Sequence, residues 1–212
     1  QPVLGTNPLA FASPAGKYPP LVLDFATTVA AVNKVRVKQL REIALPDGWV
    51  NDGDGRVITN PDEALAIFAK RDRGGFNPVG GAGDVLGGHK GYGLGLFSHI
   101  LGGVLPGASF SPTRVKTQAA SDPDELGHYF QAINPEAFRP MEDYIADVEV
   151  VVDTLKAVEP ADPARPVLVA GEPEYVTRQD RLANGIPVND NLRKLIRDVC
   201  EKADVPYLFG NH

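Results

Sequence analysis

The residues best suited to chemistry in this sequence are His89 and Lys90, which stand inside a glycine-rich stretch, 80–107. Glycine has no side chain, so a loop rich in it lets a ligand approach the backbone closely. The apolar run that follows, 92–105, predicts a buried helix. Because a helix start offers free N–H groups and partial positive charge, this order predicts a phosphate or carboxylate site near Lys90. A glycine-rich turn ahead of a packed core helix is the structural alternative.

A second group of polar residues follows a short apolar segment. The run 21–25 shows no alternation, which predicts a strand covered on both faces. Asp24 lies at its end, and either Thr27 or Thr28 could cap a helix from about 29 to 41. A strand, a polar turn and a helix start in this order offer hydroxyl and N–H groups to a ligand. Plain helix capping is the alternative for at least one of the threonines.

Spacing excludes several common sites. The run 91–95, GYGLG, fails the Rossmann fingerprint because its third glycine comes one place early and no strand directly precedes it. Lys90 is followed by glycine instead of serine or threonine, which excludes a P-loop. Ser98 lacks the flanking residues of a nucleophile elbow. A single cysteine, Cys200, excludes an internal disulfide and a cysteine metal cluster. The histidines are too scattered for a zinc signature, so no metal is expected.

Composition narrows the class of protein. The chain has 212 residues, a net charge of -6 and a pI near 5.2, which argues against general nucleic-acid binding. No apolar run reaches the roughly 18 residues of a membrane span, and no basic start precedes an apolar run as in a signal peptide. With one cysteine, these features favour the cytoplasm and no membrane partner.

The remaining pattern mixes helices and strands without the regular alternation of a doubly wound sheet. We therefore predict an α+β fold with a mostly antiparallel or mixed sheet. Asn60 and Asn189 are predicted to cap helices, as is Asn134 a short helical turn. The predicted strands are 9–12, 21–25, 128–133 and 167–170, and the further predicted helices are 61–70, 141–157, 174–183 and 190–203.

Seven short motifs occur in the order that one family shows. They are GTNPLAFASP (5–14), DFATTVAAVNKV (24–35), LPDGW (45–49), GGHKGYGL (87–94), ILGGVLPGASF (100–110), GHYFQAINPEAF (127–138) and AGEPE (170–174). Each is moderately specific, but together they span nearly the whole chain. The sequence resembles the type 2 malate/L-lactate dehydrogenase family, which includes sulfolactate and ureidoglycolate dehydrogenases, 2,3-diketogulonate reductase and cyclic-imine reductases.

The resemblance implies an NAD(P)-dependent oxidoreductase that is not a Rossmann protein. Its substrate would be a small 2-hydroxy or 2-oxo acid and its cofactor NAD or NADP. It also implies a main NAD(P)-binding domain at 1–160, with a largely antiparallel or mixed sheet flanked by helices. A C-terminal part at 161–212 would pack back on the catalytic core. Family members are typically homodimers with the active site near the subunit interface.

The resemblance further implies which residues meet the cofactor. In the family, an Asp-x-Ala-Thr segment lines the cofactor, a His-Lys pair lies next to its phosphates, and a Gly-Glu turn lies nearby. The proline that usually precedes that turn is Ala170 here. Lys34 and His128 are candidates to approach the substrate. The residues that inherit the cofactor roles are Asp24, Phe25, Ala26, Thr27, His89, Lys90, Gly171 and Glu172, with Thr6 as a further candidate.

The family's catalytic histidine and arginine belong to an N-terminal segment that these residues do not match. Reduction of a 2-oxo acid needs a positioned acid at the oxygen and a cation for the carboxylate. We therefore expect this chain to be a fragment of a longer enzyme that supplies most of the cofactor platform, with the N-terminal part either elsewhere in that enzyme or in a separate segment. The alternative is a non-catalytic nucleotide-binding module that kept the fold.

Overall fold

The strands form two small antiparallel sheets in the computed structural model, which describes residues 3–110, 119 and 121–209. Strands β1 (Leu9–Ser13) and β2 (Leu21–Phe25) pair as a hairpin, with Leu9 opposite Phe25. Strand β3 (Val50–Asn51) lies between β4 (Val57–Ile58) and β5 (Gly75–Phe76).

Helices make up most of the remaining regular structure, and the mixture confirms the α+β prediction. Most of the predicted helices are found within a few residues of their expected ends. A π-helix (Ile100–Val104) continues α3, and Pro135–Ala137 forms a short 3₁₀ turn. The α-helices of the described residues are α1 (Val32–Leu40), α2 (Pro61–Lys70), α3 (Gly88–His99), α4 (Met141–Lys156), α5 (Glu172–Asn184) and α6 (Asp190–Ala203).

Asparagine side chains cap the starts of three of these elements, as the sequence predicts. Asn60 Oδ1 accepts hydrogen bonds from the backbone N–H groups of Asp62 and Glu63, at 2.8 and 3.1 Å. Asn189 and Asn134 cap α6 and the 3₁₀ turn in the same way. Each cap satisfies N–H groups that have no partner inside the helix, so the starts of α2, α6 and the 3₁₀ turn are specified by the local sequence.

The predicted threonine cap of α1 is wrong. This helix begins at Val32, and no side chain caps it. The hydroxyl of Thr28 donates to the Ala30 carbonyl at 2.7 Å, while that of Thr27 donates to the Thr6 carbonyl at 3.0 Å. Both hydroxyl groups are therefore engaged with carbonyl oxygens outside the helix.

Two predicted strands are irregular in the structure. The segment 128–133 alternates in sequence, yet it joins no sheet and Phe130 is 90% exposed. The segment 167–170 makes one backbone contact with the hairpin, in which the Val22 N–H donates to the Ala170 carbonyl at 3.2 Å. Alternation marks a backbone suited to pairing, but a strand forms only where a neighbouring edge is available.

The buried core lies between α1, α2 and the three-stranded sheet. Its members are Val35, Leu45, Val50, Ile58 and Ala64, and the stacked rings of Phe68 and Phe76 pack against it, 4.5 Å apart. The hairpin stands outside this core. The expectation that β2 is covered on both faces is therefore wrong, since Val22 and Leu23 are 44% and 42% exposed.

Helix α3 is buried along its glycines and not along its large apolar residues. Gly88, Gly91 and Gly95 are buried, whereas Phe97 and Ile100 are 53% and 47% exposed. The predicted buried helix is thus covered on one narrow face only. On that face the backbone of α3 approaches other backbone so closely that no side chain would fit.

Polar contacts join the C-terminal helices to the rest of the chain. Lys17 Nζ lies 2.9 Å from Asp153 of α4, which fixes the hairpin loop on that helix. Asn191 of α6 donates to the Leu40 carbonyl at the end of α1, at 2.6 Å. No helix of the described residues is long and apolar enough to span a membrane. The division at residue 160 stays a prediction.

Replacing Gly91 by alanine should lower the free energy of unfolding by about 1–3 kcal/mol. The added Cβ would lie 2.1 Å from the Val79 carbonyl oxygen, so backbone must move. Gly93→Ala is the matched control, because a Cβ there has nothing within 4 Å and alanine favours a helix by about 0.5–1 kcal/mol. Urea unfolding measures both. Equal effects of the two substitutions would contradict the close approach.

Candidate functional site

Thr27 connects three parts of the chain. It is 3% exposed, and its N–H and Oγ1 both donate to the Thr6 carbonyl, at 2.8 and 3.0 Å. Its own carbonyl accepts from the Val79 N–H at 2.9 Å. The N-terminal segment, the end of β2 and the start of the glycine-rich stretch therefore meet at this one residue, and the cofactor roles of Thr6 and Thr27 stay predictions.

Helix α3 packs against the same residue through a glycine. A Cβ on Gly95 would lie 3.1 Å from Thr27 Oγ1 and 3.7 Å from Leu4 Cδ1. The preceding glycine loop (80–87) folds back on the helix start, where a Cβ on Gly88 would lie 2.0 Å from the Gly81 carbonyl oxygen. Glycine at these positions allows backbone to lie directly against backbone, which leaves N–H groups of the loop close to the surface.

His89 and Lys90 both lie in the first turn of α3 and are exposed. The residue before the helix, Gly87, has a φ of 86°, and no side chain caps this end. An uncapped helix start with an adjacent lysine carries positive potential and free donors. The glycine loop therefore leads into the start of α3 with Lys90 in the first turn, in the order that the sequence predicts.

The last residues of β2 lead directly to Thr27. Asp24 pairs with Ala10 in the hairpin and is exposed, while Phe25 and Ala26 are half-buried. All three predicted residues thus lie next to the Thr6–Thr27 contact along the chain. Strand pairing fixes their backbone, so their positions relative to Thr27 are set by the hairpin.

Gly171 and Glu172 lie against the other end of β2. Gly171 has a φ of 89°, and a Cβ there would lie 3.1 Å from the Val22 nitrogen. The Glu172 carboxylate binds the Lys156 ammonium group and accepts from the Val169 N–H at 3.1 Å. These two contacts, the lysine first, lower the pKa of Glu172. Both residues therefore stabilise the turn at the start of α5, which contacts α4 through Lys156 and the hairpin through Val22.

The two candidate substrate residues lie apart from this group. Lys34 is exposed on α1, and His128 is exposed in the irregular segment, where its ring contacts Phe130 at 6.1 Å between centroids. Within the described part of the chain, no hydrogen bond or ion pair joins either one to Thr6 or Thr27. Their substrate roles stay predictions.

Sequence reasoning missed two polar atoms near this contact. Asn7 Nδ2 and Ser98 Oγ are buried and find no hydrogen-bond partner. Asn7 follows Thr6, and Ser98 lies three residues after Gly95 on α3. Unpaired buried polar atoms are rare, and the known reasons for them are backbone strain, a catalytic role, or a bound water or ion that supplies the partner. The only sequence signal was the Asn7-Pro8 pair, which reads equally well as a turn.

A metal site and a cavity were the other candidates for a functional site in the described residues. No group of three or more His, Cys, Asp or Glu side chains is placed to hold a metal ion among the described residues. A cavity of about 500 Å³ lies at the end of α6, lined by residues such as Arg197, Cys200 and Tyr207. Its walls come from one helix end and the turn after it, so it is a local concavity that shares no residue with the Thr27 contact.

Comparison with known proteins shows to which family the chain belongs. The family model described as malate/L-lactate dehydrogenase matches residues 1–197. The chain belongs to this family. The crystal structure of malate dehydrogenase from Entamoeba histolytica superimposes with a TM-score of 0.84 at 29% identity, covering 98% of this chain and 57% of that one.

Two curated relatives show the range of the family. Malate dehydrogenase of Pyrococcus horikoshii is 30% identical over 203 residues, which cover 96% of this chain and 54% of the relative. Delta(1)-pyrroline-2-carboxylate reductase of Agrobacterium fabrum is 35% identical over 139 residues, which cover 65% of this chain and 36% of the relative. The chain spans about half the length of the malate dehydrogenase, so the match concerns only that part of the enzyme.

Removing the Glu172 charge should make stability less dependent on pH. Because folding lowers the pKa of Glu172 below its ordinary 4.5, the ionised group stabilises the fold above about pH 4.5, and this contribution is lost as pH falls further. Glu172→Gln should therefore cost up to about 1 kcal/mol at pH 7 and nearly nothing near pH 3. Unfolding by urea at several pH values measures this.

The control is Glu174→Gln, which removes the same charge from the same first turn of α5. It should show only the small effect of a helix N-terminus, a few tenths of a kcal/mol. A cost for Glu172→Gln that is the same at all pH values would contradict the ion pair with Lys156.

Proposed function

We propose that this chain is the cofactor-binding part of an NAD(P)-dependent oxidoreductase that transfers hydride between nicotinamide and a small 2-hydroxy or 2-oxo acid. The observation that carries the proposal is the family match across 1–197, together with the malate dehydrogenase fold. The cofactor site in this proposal is the Thr6–Thr27 contact with the glycine loop and the start of α3. We propose that this site binds the dinucleotide without a Rossmann fold, which the antiparallel pairing of the described sheets supports.

The groups at this site suit a dinucleotide. Diphosphate and ribose need hydrogen-bond donors, a cation and close approach to backbone, and the site offers Lys90, the uncapped start of α3 and the glycine loop. The unpaired Asn7 Nδ2 adds a donor that lacks an acceptor. When bound, the nicotinamide ring of the cofactor supplies or accepts the hydride. This chain's residues bind and orient it.

Each residue then has a distinct task. Lys90 and His89 bind the phosphates from the first turn of α3. Thr27 holds the Thr6 carbonyl with two donors and so would fix the N-terminal segment at the proposed site. The run Asp24–Ala26 lines the site from the end of β2. Gly171 and Glu172 keep their turn against Val22 at the other end of β2, and their cofactor role in this proposal comes from the family resemblance.

The family match also supports a proposal for the substrate class and for the oligomeric state. The substrate is a 2-oxo or 2-hydroxy acid, or a cyclic imine acid as for the Agrobacterium fabrum relative. The working molecule is a cytoplasmic homodimer, which is consistent with the many exposed apolar side chains, among them Phe97, Phe130 and Phe138. The groups that donate the proton and bind the substrate carboxylate come from a segment outside these residues.

Binding and turnover test the proposal separately. The purified 212-residue chain should bind NADH or NADPH, seen as a change in nicotinamide fluorescence, and mass spectrometry should verify that no other segment is present. Oxidation of NADH with oxaloacetate, pyruvate or Δ1-pyrroline-2-carboxylate should appear when the N-terminal segment is included. A chain that binds neither cofactor would overturn the proposal, and a protein that binds but never turns over would favour the non-catalytic module.

Lys90→Ala should weaken cofactor binding by about 1–3 kcal/mol, because a charge-assisted bond to phosphate is lost. Fluorescence titration with NADH and NADPH measures the dissociation constants. Lys70→Ala, at the exposed end of α2, removes the same charge elsewhere and should leave both constants unchanged. Unchanged binding by Lys90→Ala would remove this lysine from the site.

A further inference from the structure

Asn7 has a backbone conformation that no helix end explains. The non-glycine residues with positive φ in the described part of the chain are Asn7 (36°), Glu42, Arg71 and Asp204. Arg71 and Asp204 cap the ends of α2 and α6, and Glu42 follows the end of α1. A left-handed residue is common at such ends. Asn7 lies between β1 and the chain start, and the proline after it makes a helical conformation still less favourable.

The side chain of the same residue is also left unsatisfied. Asn7 as a whole is half-buried, yet its Nδ2 is buried with no hydrogen-bond partner. A strained backbone and a donor without an acceptor both cost free energy. Among the described residues, Asn7 alone combines the two. Such costs persist where the surrounding structure enforces them, and they cluster at ligand sites.

The neighbouring contacts show what enforces this conformation. The Thr6 carbonyl, next to Asn7 in the chain, is held by both donors of Thr27, at 2.8 and 3.0 Å. Pro8 restricts the chain on the other side. Asn7 is therefore fixed between two rigid neighbours, beside the contact with α3. Its amide can still make a half-turn about χ2, a broad two-fold torsion, which exchanges the nitrogen and the oxygen and turns the donor outward.

We propose that Asn7 is a cofactor-binding residue, whose Nδ2 donates a hydrogen bond to an oxygen of the nicotinamide dinucleotide. This rests on the proposed function. The dinucleotide offers oxygens in its carboxamide, riboses and diphosphate, all of which accept a hydrogen bond from a neutral amide. Binding would give the amide nitrogen an acceptor once the half-turn about χ2 has turned it outward.

Asn7→Gly separates this role from a structural one. Glycine accepts the positive φ without strain and removes the amide, so the cofactor-free chain should unfold at the same or a higher temperature. The NADH dissociation constant should rise about tenfold, the loss of one well-placed hydrogen bond. A residue needed only for the fold would lose stability on this change. An unchanged dissociation constant, or a lower unfolding temperature with no weaker binding, overturns the proposal.

Asn7→Asp provides a second test at nearly constant shape. Aspartate also tolerates positive φ, but its carboxylate cannot donate, so NADH binding should again weaken about tenfold or more. Asn184→Asp, at the exposed end of α5, adds the same charge and should leave binding unchanged. Loss of binding by Asn184→Asp as well would show a general charge effect and overturn the proposal. If the unaltered chain binds neither NADH nor NADPH, the proposed function itself fails, and Asn7 is not at issue.

Discussion

The double hydrogen bond from Thr27 to the Thr6 carbonyl is the contact on which the rest of the site depends. One residue, 3% exposed, uses its N–H and its hydroxyl to hold a single oxygen, and its own carbonyl holds the N–H of Val79. The Val29 N–H, just after Thr27, also donates to the Asn77 carbonyl at 2.9 Å, next to the glycine-rich stretch. Because a buried bond of this kind is costly to leave unmade, these three segments keep one relative position.

Glycine then determines how closely α3 can approach this contact. The helix is buried along Gly88, Gly91 and Gly95, where each position lies against backbone or against Thr27. Its bulky apolar side chains consequently face outward, and Phe97 is 53% exposed. The helix is thus positioned by the absence of side chains on one face, and its opposite face is exposed.

The sequence predicted local features well and tertiary ones less well. Caps such as Asn60 depend on neighbouring residues alone, so their helices were predicted almost to the residue. Burial of β2 and pairing of 128–133 depend on partners elsewhere, and both were mispredicted because apolar composition does not say which neighbour is present. The resemblance predicts cofactor roles for Thr6, Thr27 and Lys90, whereas the proposal for Asn7 needed the structure, since neither a positive φ nor an unpaired amide is visible in a sequence.

The π-helix that continues α3 has a consequence for how this chain can change in length. Leu105 donates its N–H to the Ile100 carbonyl five residues earlier, at 2.8 Å, so the turn holds one residue more than an α-helical turn. Losing a residue here would convert the wide turn into an ordinary one and leave the helix continuous. The loss of one residue is therefore better absorbed at this turn than at the glycine face before it, and the spacing between Lys90 and the later GHYF motif can shorten by one without moving Thr27.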